Sequence, residues 1–220
     1  MASNANLLQL KGRPVLPDYI QSIVNPRTLY SREDILSTRS ILPAASGVYG
    51  WFFKEIPKGV NIDGCATQGD LTLLYVGISP DRVGKPNSKQ TLRKRVTTHF
   101  NGNAEGSTLR RSLGVLLIDV SGYPLRRVGS GRRITLTHLG EQWLDTWMDT
   151  NAYVCWLEHP TPWDLEKILL SQISLPLNIN GNSHHPFSAV LSHARRQALK
   201  AAREEPIEPE TNQTRQPRTN

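Results

Sequence analysis

Three side chains in this sequence have the types and placement for chemistry on a phosphate: Arg95, His99 four residues later, and Glu166. Hydrolysis of a phosphodiester needs a cation to neutralise the phosphate, an activated water, and a donor for the negative charge that develops. Apart from Asp164, which a helix cap explains, Glu166 is the only acid in a helical segment whose neighbours also pack on a core. A single carboxylate with several retained waters is an ordinary magnesium site. Arg95 suits binding a phosphate or its transition state, and His99, on the same helix face, suits a shared phosphate contact or a proton transfer.

Charge around these residues is concentrated rather than spread. Between Leu92 and Arg133 stand Arg93, Lys94, Arg95, Arg110, Arg111, Arg126, Arg127, Arg132 and Arg133 against only Glu105 and Asp119, in a chain whose net charge is +7. Eight of those nine bases are arginine, whose planar fork matches phosphate oxygens. A polyanion is the natural partner, and Arg93, Lys94, Arg110, Arg111, Arg132 and Arg133 are the candidate contacts. Lys85 and Lys89, with Arg82, join them from the long connection 79–91.

Local patterns place these groups. The runs 47–53 and 71–78 are rich in strand-forming residues, as is 152–157, so three short strands are expected, the first two as a wide antiparallel hairpin. Leu92, Val96 and Phe100 recur every fourth residue and predict a helix over 91–100, with Arg95 and His99 together on one shoulder. Further helices are expected over 106–117, starting near Ser107, around 143–148, over 188–203, and from Thr161 to about 173. For that last one Thr161 offers a capping hydroxyl, followed by Pro162 in the first turn. Pro176 would stop it. Ser31 predicts a short helix over 32–40.

Residues 1–45, with four prolines, read as an N-terminal extension outside the core, 46–182 as the main domain, 183–203 as a basic C-terminal helix, and 204–220 as a disordered tail. Apolar residues are 38% and charged residues 20% of the chain, which excludes both a membrane protein and a wholly disordered one. No leader pattern or apolar span is seen at the N-terminus or elsewhere, so an intracellular, cytoplasmic protein is expected. Cys65 and Cys155 are too far apart for a zinc pattern and read as reduced thiols, so a metal would be held by oxygen. His138 and the pair His184-His185 lack companion spacing and read as loop residues.

Gly47-Val48-Tyr49, Tyr75-Val76-Gly77, Arg95 with His99, Glu166, and Asn178 twelve residues beyond it follow one another in an order that resembles the GIY-YIG nuclease superfamily. That superfamily includes homing endonucleases, repair nucleases and some restriction enzymes. Valine replaces isoleucine in both tripeptides, and the resemblance spans 46–182. It implies an α/β (α+β) domain, a small three-stranded antiparallel sheet flanked by helices, here with helical extensions at both ends. It also implies a Mg2+ (or Mn2+) dependent endonuclease acting on DNA, RNA not being excluded, with Glu166 holding the metal. The catalytic set it implies is Tyr49, Tyr75, Arg95, His99, Glu166 and Asn178. Tyr49 would help activate water, Tyr75 shape the site, and Asn178, better spaced than Asn180, hold site elements together. A free phenol titrates near about 10, so Tyr49 serves as a base only where positive charge lowers that value. The residues leave open which group takes the proton. The spacing of the first motifs is closer to the restriction-enzyme branch than to the repair branch. The alternative is a catalytically silent nucleic-acid-binding module of the same fold, against which the retained Tyr49, Tyr75, Arg95 and Glu166 argue.

Overall fold

Every residue of the strand Gly47–Phe53 is buried, a pattern that requires both faces of its sheet to be covered. The computed structural model, which describes residues 18–80 and 89–209, shows the covering layers. In chain order its elements are α1 (Asp18–Val24), α2 (Arg32–Ser37), β1 (Gly47–Phe53), β2 (Thr67–Gln68), β3 (Leu71–Ser79), α3 (Leu92–Asn101), α4 (Thr108–Leu116), α5 (Ile118–Ser121), β4 (Leu125–Val128), β5 (Arg133–Leu136), α6 (His138–Asn151), β6 (Ala152–Glu158), α7 (Pro162–Gln172) and α8 (Pro186–Glu204). No helix among the described residues is long and apolar enough to cross a membrane.

The α+β class matches the expectation, with a larger sheet. Four strands in the order β2-β3-β1-β6 form it, all neighbours antiparallel, because the 54–70 connection folds back as β2 against Leu71 and Thr72. Alternation along β1 sends Tyr49, Trp51 and Phe53 into a core built with α2, α3, α4, α6 and α8. Val48 and Phe52 enter a second core with α1 and α7. Register pairs Tyr49 with Gly77 and Trp51 with Tyr75, and then skips Leu74 as a bulge. Both signature tyrosines therefore project from the same face.

Several expectations change. Residues 18–45 are not outside the core: Ile20, Ile23 and Leu42 are completely buried, since α1 closes a sheet face that would otherwise meet water. Helix α2 keeps its Ser31–Asp34 capping box but ends at Ser37, followed by a 3-10 turn, Arg39–Ile41. The end of the arginine-rich stretch, with Arg126, Arg127, Arg132 and Arg133, folds as a separate hairpin, β4 with β5, whose turn uses Gly129 and Gly131 at positive φ. Adjacent arginine pairs in strands of four residues hide the alternation that would have revealed it. Helix α6 begins at His138, capped by Thr137. At α7, Thr161 holds the N-cap position without a side-chain capping bond, and the helix stops before Pro176, at Gln172. Residues 204–209 of the expected tail are ordered: Glu208 bridges to Val128 and its carboxylate lies 3.5 Å from Arg126. Residues 1–17, Arg82, Lys85 and 210–220 lie outside the described residues.

Arg110, expected on a nucleic-acid surface, is instead completely buried. Its guanidinium lies 2.6 Å from Glu141 and 2.8 Å from Asp145 on α6. Arg32 extends the cluster, 3.2 Å from Asp145 and 3.1 Å from Asp149, while its Nε donates to the carbonyl of Phe100 at the end of α3. The other Glu141 oxygen accepts from the Ala104 amide and the Thr135 hydroxyl. Charges taken this far from water survive only when fully paired. Removing one partner of such a cluster leaves an uncompensated buried charge, which costs about 3–5 kcal/mol. Arg110→Met is therefore expected to lower the urea-unfolding free energy by about that amount, against within about 0.5 kcal/mol for the exposed Arg132→Ala. Equal effects would show that the cluster contributes little.

Candidate active site

One pocket of about 690 Å³ is lined by Tyr49, Tyr75, Arg95, Glu166 and Asn178, residues that span most of the domain in sequence. Its position follows from the sheet. Beyond Thr72, β3 has no strand on its outer side among the described residues, so its edge from Leu74 onward must be satisfied otherwise. The amide of Leu177 donates to Leu74 O at 3.0 Å. Asn178 then pairs with Val76 as a strand would, accepting from its N–H at 2.9 Å and donating to its carbonyl at 2.8 Å. Asn182, buried and unforeseen, locks this segment by donating to the carbonyls of Leu175 and Asn178. Exposed Asn180 lines the rim and makes no such bridge.

This open edge explains how Glu166 meets the tyrosines. Its helix, α7, packs its apolar side on the opposite face of the sheet from Tyr49. Glu166 nevertheless lines the same pocket, because the pocket wraps round the unpaired edge of β3.

Tyr49 is 1% exposed and lies across Gly77, where any Cβ would overlap the phenol ring. Its hydroxyl is 2.8 Å from His99 Nε2, and His99 Nδ1 is 2.7 Å from Ser107 Oγ. Ser107 also caps α4 by accepting the Arg110 amide. His99 is wholly buried, with Trp51 and Tyr75 edge-on to its ring. Of the two expected roles of His99, a phosphate contact or a proton transfer, the inward-turned imidazole, bonded to Tyr49 and Ser107, favours the second. Burial, reinforced by Arg95 and Arg110, holds the His99 pKa well below 6.5 and the ring neutral. Burial likewise pushes the Tyr49 phenol well above 10, followed by Tyr75, although Arg95 lies within hydrogen-bonding reach and acts the other way. Tyr75 is raised by burial too, and its hydroxyl is 3.3 Å from Thr108 Oγ1.

Arg95 is half-buried and donates through Nη1 to the Gly106 carbonyl at 3.2 Å, so the 101–107 segment braces it. Of the expected nucleic-acid contacts, Lys89, Lys94, Arg132 and Arg133 are exposed. Arg93 and Arg111 are half-buried and donate to the backbone carbonyls of Leu42 and of Ala104 and Glu105. Lys167 and Arg195 also line the pocket and were not anticipated. For Lys167 the signal was present, one position after Glu166.

Among the described residues no group of three or more His, Cys, Asp or Glu side chains is arranged as a metal cage. A lone carboxylate in a pocket with room for water fits a hard, hydrated ion such as magnesium, which takes few protein ligands and completes its shell with water and phosphate.

The Tyr49 and Gly77 contact makes a specific demand on sequence. Gly77→Ala is expected to displace the phenol from His99 and to lower the melting temperature by a few degrees, of the order of 1 kcal/mol. Because ring carbons overlap as well as the hydroxyl, Tyr49→Phe in the same chain should leave most of that loss, and full restoration would show that the hydroxyl alone makes the clash.

No curated protein and no solved structure matches the chain. The family model described as the GIY-YIG catalytic domain matches residues 47–197, well over half of the sequence, from the first signature glycine into α8. With both tyrosine motifs on adjacent strands and the arginine and glutamate facing them across one pocket, the chain belongs to the GIY-YIG catalytic domain family, whose members are endonucleases and hydrolases.

Proposed function

We propose that this protein hydrolyses a phosphodiester bond in DNA with the help of a magnesium or manganese ion held through Glu166. The observation that carries this reading is the shared pocket of Tyr49, Arg95 and Glu166, built from both sides of one sheet edge. Binding alone would not place a carboxylate beside a phosphate, since the like charges repel. The long connection between Tyr75 and Arg95 favours a restriction-type nuclease over a repair-type one.

Arg95 takes the non-bridging oxygens of the scissile phosphate, a charge-assisted bond that strengthens as negative charge develops. A phenol raised well above 10 is a poor acid on its own. It needs a second acceptor, and His99 Nε2 at 2.8 Å is that acceptor. As Tyr49 takes a proton from the attacking water, its own proton passes to His99. The required tautomer carries its hydrogen on Nδ1 and donates it to Ser107 Oγ. The water oxygen bonds to phosphorus, and the ester bond breaks with its electron pair going to the leaving oxygen, which takes a proton from solvent. The proton held transiently on His99 returns through Tyr49 to solvent, restoring the neutral ring. The chemistry an ion at Glu166 supplies when bound is Lewis-acid neutralisation of the phosphate charge.

In a plasmid-nicking assay with magnesium, wild type is expected to cleave. Glu166→Ala should lose at least about 100-fold in rate while keeping most DNA affinity; undiminished cleavage would remove Glu166 from the mechanism.

The pH dependence follows from His99. Its neutral form accepts the proton, and its folded pKa is depressed, so the acid limb of kcat should lie below pH 6.5 rather than at it. The stability linkage has the same origin. An unfolded histidine protonates near about 6.5 and the folded one does not. The His99 contribution is thus complete above that pH and declines as pH falls from there toward the folded value. His99→Gln should remove this part of the acid destabilisation and cut kcat by about 100-fold or more, with KM little changed. A kcat limb centred at pH 6.5 or above would contradict the relay.

A further inference from the structure

The inward stripe of α8 contains one side chain foreign to a core. Leu191 and Ala202 are buried and Ala198 is partly so. At roughly 100° per residue Arg195 stands about 40° from Leu191 and about 20° from Ala202. It is half-buried, whereas Arg196, Lys200 and Arg203 on the outer side of the helix are exposed. Instead of passing into the apolar layer, its side chain lines the pocket beside Tyr75 and Thr108. Among the described residues Arg195 has no carboxylate partner and no hydrogen bond. Burial lowers its pKa, the positive Arg111 acts in the same direction, and Tyr75 opposes them. Every other deeply placed arginine here is matched, Arg110 and Arg32 by carboxylates. A guanidinium that lines a pocket without an ion pair or hydrogen bond of its own is suited to a bound anion.

We propose that Arg195 forms a second phosphate subsite on the Tyr75 side of the pocket, which takes the DNA phosphate next to the scissile one. The helix α8 is then part of the substrate-binding surface, and it fixes the register of the strand so that the phosphate on Arg95 is the one attacked. Arg111, whose guanidinium is engaged by the carbonyls of Ala104 and Glu105, adds only its positive field. This subsite rests on the reading of the protein as a DNA nuclease.

The test pairs the residue with one phosphate at a time. After the cleaved bond is mapped in the nicking assay, a duplex of that sequence is prepared with a single neutral methylphosphonate at each position around it. Binding of the full chain is measured in EDTA over a range of salt. In wild type, neutralising one phosphate adjacent to the scissile one should weaken binding about tenfold. In Arg195→Ala, with an unchanged melting temperature, the same replacement should have no further effect, because residue and phosphate are coupled. The slope of log affinity against log salt should also fall by about one phosphate contact. Arg195→Lys should recover part of the coupling, as a point charge does. If each methylphosphonate costs Arg195→Ala as much as wild type, the subsite is wrong even though DNA is cut. A wild-type chain that neither binds nor cuts DNA, or cuts only RNA, would overturn the DNA reading and the subsite together.

Discussion

The ion cluster around Arg110 and the reactive end of the molecule are one connected structure. The guanidinium of Arg110 is held between Glu141 and Asp145 in the core, and the backbone amide of the same residue is capped by Ser107. Ser107 orients His99, and His99 touches the Tyr49 hydroxyl. The tyrosine is thus positioned from behind by a line of polar contacts that ends in a fully desolvated charge. Such a charge tolerates few alternative arrangements, because every displacement leaves an unpaired ion. The cluster acts here as a positional constraint more than as a source of net stability. It joins α2, α3, α4 and α6, and each contributes a group that reaches toward the site or braces one that does.

The second constraint is the edge of β3. A long exposed edge invites pairing with other chains, and this protein covers it beyond β2 with the Leu177 backbone amide and the Asn178 side-chain amide. Asn178 satisfies both backbone groups of Val76. A full strand at that position would fill the space in which the pocket forms. The asparagine bridges the edge at one residue and leaves Gly77 and Ile78 beyond it facing the cavity. Gly77, in turn, lets the Tyr49 ring lie flat against β3. The two motifs on neighbouring strands therefore work as a pair: a glycine on one makes room for the tyrosine of the other.

How much of this was readable in advance depended on the range of the interaction. The stripe Leu92, Val96, Phe100 and the strands around Tyr49 and Tyr75 are local patterns, and they fold as such. The direction of His99 was not local. Helical spacing placed it near Arg95, but the pull of the aromatic core on α3 decided that it faces inward, and that contact lies 50 residues away in β1. Asn182 and Ser107 were silent for the same reason: each is an ordinary turn or cap residue until its distant partner is known. The α1 segment misled because prolines around it suggested a loose end, while Ile20 and Ile23 carried the only hint that it closes the second core.

Arginine was the residue type read least well, and the reason is energetic. A count along the chain treats every guanidinium as free charge, yet the fold uses them in three ways. Arg110 and Arg32 neutralise buried acids that stand far away in sequence, on α6. Arg93 and Arg111 donate to backbone carbonyls of loops that no strand or helix satisfies. Only what is left after those obligations bears on a partner. By that measure the density of arginines between Leu92 and Arg133 overstates the surface field, and the binding charge is drawn into the pocket, where low dielectric makes each guanidinium count for more against a phosphate than it would on an open face. On the proposed reading, recognition depends less on a broad basic patch than on the guanidinium groups that line the pocket, Arg95 and Arg195.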